Sequence, residues 1–181
     1  MSTSTTTRLT NAADMPTGRG DNPGDIPASR PGALDRYDAL IGTWDMEASF
    51  AAGYFGPETP PITNRDGRTT FDWLDGRFFL LQRFVNEHPA APSGIAIIGP
   101  SGEGEPFSQH YYDSRGVARV YRTSLEGRVW KVWRDAPEFC QRYTGTISED
   151  GSRIEGAWEG SVDGSHWKHD FDLTYIKVSD G

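Results

Sequence analysis

The stretch Gly42-Thr43-Trp44-Asp45-Met46-Glu47-Ala48-Ser49-Phe50 decides the fold. Trp44, Met46, Ala48 and Phe50 alternate with Thr43, Asp45, Glu47 and Ser49, the period of a strand with one dry and one wet face. Just upstream, Asp35 to Leu40 has room for one or two helical turns that cap one end of whatever the strand joins. Downstream, two-faced segments recur at residues 70–74, 77–86, 94–99, 107–113, 117–124, 128–134, 139–148, 153–162 and 167–178. Asp75-Gly76, Glu126-Gly127, Asp150-Gly151 and Asp163-Gly164 mark tight hairpins between them. A meander of many short antiparallel strands loses its exposed edges by closing on itself. The expectation is an all-β protein: a closed antiparallel up-and-down β-barrel of about ten strands, with a short N-terminal helix over one end.

The outer parts of the chain fit this reading. Residues 1–33 are rich in Ser, Thr, Pro, Gly and Asn and predict a disordered tail, which leaves 34–178 as the barrel domain. Residues 51–68 hold Gly-Pro and Pro-Pro breakers and predict a long loop of the kind that serves as a lid or portal. Strand edges near that loop could support a homodimer. No strand–helix–strand unit and no repeat is visible.

Composition narrows the function classes. The chain is 181 residues with a formal net charge of −8, which argues against nucleic acid as a partner. No apolar run approaches the ~20 residues that cross a bilayer as a helix. The first ten residues lack a secretory core, and the single Cys140 excludes an internal disulfide framework. These features point to the cytoplasm and to no membrane partner. The 22 aromatic residues offset a hydrophobic share of only 35%.

Several motifs together resemble a known superfamily. They are Leu40-Ile41-Gly42-Thr43-Trp44, Asp75-Gly76-Arg77-Phe78-Phe79-Leu80, Gly94-Ile95-Ala96-Ile97-Ile98-Gly99, Trp158-Glu159-Gly160-Ser161 and Leu173-Thr174-Tyr175-Ile176-Lys177-Val178. With the short helix and ten strands, they resemble the calycins, which include lipocalins and fatty-acid-binding proteins. Within that group they are most similar to the DUF1579 domains and the nitrobindin haem-binding barrels. The resemblance implies a barrel with an internal cavity. Nitrobindin-like proteins hold haem iron through a histidine in the last strand. Here Asp170 stands at that position, which disfavours haem and leaves no cofactor expected.

Alternation assigns faces. If the apolar phase points inward, Gln82, Gln109, Tyr111, Arg122, Trp130, Gln141, Tyr143 and His169 line the interior, a few polar groups within an aromatic wall. Polar-lined barrels invert this, and the last strand would then turn Lys168, Asp170, Asp172 and Thr174 inward. Histidine is the side-chain type best suited to acid–base work, and His169, with Tyr143 and Tyr111, makes up the set of candidate catalytic groups. Arg122 could clamp a carboxylate in a forked geometry. His166 and His169 fall three apart on a strand, on opposite faces, so no metal site is expected. The leading expectation is a binding module for a small hydrophobic or amphipathic molecule held inside the barrel. The alternative is a cyclase, isomerase or dehydratase acting on a secondary metabolite there.

Overall fold

Ten antiparallel strands close into one up-and-down barrel in the computed structural model, which describes residues 30–88, 91–101, 106–137 and 139–180. A 3-10 helix spans Gly32–Leu40. The strands are β1 Gly42–Phe50, β2 Ile62–Trp73, β3 Leu80–Asn86, β4 Gly94–Gly99, β5 Phe107–Asp113, β6 Ala118–Glu126, β7 Val129–Arg134, β8 Cys140–Ile147, β9 Arg153–Ser161 and β10 Lys168–Ser179. Each pairs with its sequence neighbours, and β1 joins β10 to close the ring. Every strand therefore has two partners, and the free edges expected beside the long loop do not exist. The tail expected over 1–33 lies outside the described residues as far as residue 29; Gly32 and Ala33 belong to the helix. Among the described residues no helix is long and apolar enough to cross a membrane.

The helix buries Leu34, Tyr37 and Leu40. Their spacing of three is the repeat of a 3-10 helix, so one edge of it is wholly apolar. That edge plugs one end of the barrel. Trp44 Nε1 donates to the Leu40 carbonyl at 2.8 Å, and the Tyr37 ring packs 5.8 Å from Phe107. At the rim, Asp38 accepts from Trp73 Nε1 (2.6 Å) and from Arg77 (2.7 Å), tying the β2–β3 hairpin to the plug.

The strand β2 begins at Ile62 rather than near Thr70, so the loop is 51–61, shorter than expected. The polar run Asn64-Arg65-Asp66-Gly67 reads as a loop because nothing in it demands burial. It forms a strand because β1 extends past Met46 and needs a backbone partner: Ala48 pairs with Asn64 and Phe50 with Ile62, across a bulge. Arg65–Glu47 and Arg68–Asp45 pairs at 3.0 Å face solvent across this ladder.

The plugged half of the barrel is packed solid rather than hollow. Trp130 meets Phe71, Tyr143 and Tyr175 at ring separations of 5.9, 5.5 and 6.0 Å. Gly145 and Gly156 pair across β8–β9 and make the space that the Tyr143 ring fills. A Cβ at Gly156 would fall 2.6 Å from the Tyr143 hydroxyl and 2.5 Å from the Thr144 carbonyl. One buried hydroxyl knits this half together. Thr123 Oγ1 accepts from Trp130 Nε1 (3.1 Å) and from Tyr37 (3.4 Å), and it donates to the Lys131 carbonyl (3.0 Å).

Candidate functional site

The opposite end of the barrel is open. It is formed by the ends of β1, β3, β5, β7 and β9 and the starts of β2, β4, β6, β8 and β10. Inward-facing side chains there are only half buried: Phe50, Tyr111, Arg119, Trp158 and Phe171. Phe84, Gln109, Tyr121 and Gln141 lie just below, each under 10% exposed. The aromatic rings are contiguous. Phe84 stacks on Tyr111 with planes 13° apart, Tyr121 abuts Trp158 at 5.9 Å, and Trp158 stacks on Phe171. The 51–61 loop adds Tyr54 and Phe55, which pack on Phe50, and Tyr54 donates to Asp170 Oδ1 at 2.7 Å. Burial and this carboxylate push the Tyr54 hydroxyl up to about 12.

Polar groups in this mouth are few and specific. Arg119 sends Nη1 inward to Gln141 Oε1 at 3.2 Å, and the Tyr121 hydroxyl donates to the same oxygen at 2.8 Å. The guanidinium lies over the Phe139 ring, 4.8 Å from its centre. Among the described residues, no carboxylate pairs with Arg119. Tyr111 is fixed by Asp113, which accepts its hydroxyl at 2.8 Å and also bonds Arg115 and two backbone N–H groups. Burial opposes the charge on Asp113, but those donors prevail and hold its pKa at about 2.

The residues singled out from sequence divide into two sets. Gln82, Gln109, Tyr111, Trp130, Gln141 and Tyr143 face the interior. Arg122 and His169 do not. In β6 the inward phase is Arg119, Tyr121, Thr123 and Leu125, so Arg122 is exposed. It borders an outer groove of about 870 Å³ along β5–β7, with Tyr112, Val120 and Trp133. In β10, Phe171, Leu173 and Tyr175 face inward as expected, but a bulge at Asp170 breaks the alternation. His169 therefore sits opposite Glu159 on the outer wall and contacts Asp172 at 2.8 Å. Beyond the bulge Asp172 is exposed on the outward phase, whereas Lys168 pairs with Gly160 on the other phase from His169 and is exposed at the rim. Arg119, which sequence reasoning passed over, occupies the place expected of Arg122.

The three candidate catalytic groups do not converge. His169 is outside. Tyr143 is 1% exposed, and burial first, then the neighbouring Tyr175, keeps its hydroxyl protonated far above neutral pH; it donates to the Leu173 carbonyl at 3.4 Å. Burial also raises Tyr111, reinforced by its bond to Asp113. None of the four histidines stands inside the barrel, where the resemblance would put an iron ligand: His88 lies beyond β3, His110 on the outward phase of β5, His166 in the β9–β10 turn and His169 on the outer wall. Asp170, at the position the resemblance gives the iron ligand, is engaged by Tyr54 at the rim.

No model of a known protein family matches the chain, and no curated protein does. Solved structures do. The crystal structure of Rv2717c from M. tuberculosis superposes with a TM-score of 0.54 at 15% sequence identity, covering 82% of this chain and 98% of that one. At that identity the likeness carries the barrel fold alone, and not membership of the DUF1579 or nitrobindin families that the motifs resemble.

Proposed function

We propose that this barrel binds a small amphipathic anion at its open end. The apolar part of the ligand lies against Phe84, Tyr111, Trp158 and Phe171, and its anionic group meets Arg119. The observation that carries this reading is Arg119 itself. It is a half-buried cation that bonds only neutral acceptors, in a ring of aromatic side chains. Removing a guanidinium from bulk water without an anion is costly, and a ligand carboxylate or sulfonate supplies one through charge-assisted bonds. The 51–61 loop, with exposed Tyr54 and Phe55, stands beside this entrance as its portal.

The test is fluorescence titration with 1-anilinonaphthalene-8-sulfonate, followed by displacement with dodecanoate. Arg119→Gln keeps a polar side chain and removes the charge. A hydrogen bond to a charged group contributes about 1.5–3 kcal/mol, so the variant should bind both probes at least ~10-fold more weakly. Equal binding by wild type and variant, or no binding by either, overturns the reading.

A further inference from the structure

Inside the barrel nearly every buried polar side chain is paired. Gln82 bonds the Tyr175 hydroxyl, Thr69 bonds the Arg83 carbonyl, Thr123 is triply engaged, and Gln141 takes two donors. Gln109 is the exception. It is 5% exposed, and its Oε1 has no hydrogen-bond partner among the described residues. An unpaired buried amide oxygen costs about 1–3 kcal/mol, and a hydrophobic residue at the same place would avoid that cost. Its position is informative. Gln109 lies directly across from Tyr121 on the inward face, and Arg119 is the next inward residue of β6 toward the mouth. Such diagonal neighbours lie roughly 7–8 Å apart along the sheet. Arg119, which pairs with no carboxylate among the described residues, and the orphan amide thus share the inward face of adjoining strands, among the rings of Tyr111, Tyr121 and Phe84.

We infer that the ligand of the open end is an aromatic carboxylate bearing a hydroxyl on the far side of its ring. The inference rests on the anion reading above and adds the second recognition group. The carboxylate sits on Arg119, and the hydroxyl satisfies Gln109. A hydroxyl both donates and accepts, so it meets the amide in either orientation of its O and N.

The experiment is calorimetric titration of benzoate, 4-hydroxybenzoate and 4-methoxybenzoate into wild type and Gln109→Met, with dodecanoate alongside. Wild type should hold 4-hydroxybenzoate about tenfold more tightly than benzoate, the equivalent of one satisfied buried polar group. The methoxy compound, matched in length, should gain nothing. In Gln109→Met the hydroxyl preference should fall to about one, benzoate should bind as before, and the free protein should melt at a higher temperature. A melting gain without loss of the preference marks a purely structural glutamine and overturns the inference. Equal or absent binding of the benzoates beside Arg119-dependent dodecanoate binding overturns the role of Gln109 and leaves the anion reading standing. Failure of every probe overturns both.

Discussion

Replacing Thr123 by Val probes the packing of the plugged end. Thr123 is wholly buried, and Val matches its shape, so the substitution leaves no cavity and removes one oxygen. Trp130, itself 2% exposed, then loses the acceptor of its Nε1 hydrogen, 3.1 Å away in the wild type. A buried donor without a partner costs about 1–3 kcal/mol. In a domain of this size each kcal/mol moves the thermal midpoint by roughly 2–4 °C, so the midpoint should fall by about 2–12 °C. The companion variant Thr123→Ser keeps the oxygen and drops one methyl, about 0.8 kcal/mol of apolar burial plus any cavity term. Thermal and urea unfolding of the three proteins decide the matter. Thr123→Val should be the least stable. If it matches wild type while Thr123→Ser falls, the region is held by volume alone and the hydrogen-bond account of the plug is refuted.

Two further outcomes follow from the electrostatics. Asp113→Asn removes a carboxylate whose pKa is held below that of the unfolded chain. The wild-type advantage over Asp113→Asn should be full near neutrality and shrink as pH falls from ~5 toward 2; an advantage independent of pH would contradict the assignment. His169→Ala should leave ligand affinity unchanged and move stability by no more than about 0.5 kcal/mol, since its pair with Asp172 is exposed on the outer wall; a lost affinity in the titrations would place the imidazole at the site after all.

Much of the barrel could be read from the chain because hairpin chemistry and alternation agree over most of it. The β4 and β5 bounds come directly from 94–99 and 107–113. Two strand phases did not. In β6, Ala118-Val120-Arg122 and Arg119-Tyr121-Thr123 are about equally apolar, so alternation alone is mute. The signal that settles it is the turn. Gly127 and Arg128 form a two-residue loop, which places Leu125 opposite Trp130. With Trp130 inside, Leu125, Thr123, Tyr121 and Arg119 must be inside too. In β10 no such signal exists: the bulge at Asp170 is imposed by the match to β9, and nothing in Lys168-His169-Asp170-Phe171 announces it. The interior glutamines were legible as inward groups, but which of them lacks a partner depends on three-dimensional neighbours such as Tyr175 and Arg119.

The central claim, that one guanidinium at the barrel mouth selects the charge of the ligand, is tested most directly by reversing it. Wild type and Arg119→Glu are titrated with dodecanoate and with dodecyltrimethylammonium, two probes with the same chain and opposite heads. Wild type should favour the anion, and Arg119→Glu should favour the cation. The same preference in both proteins would contradict the account.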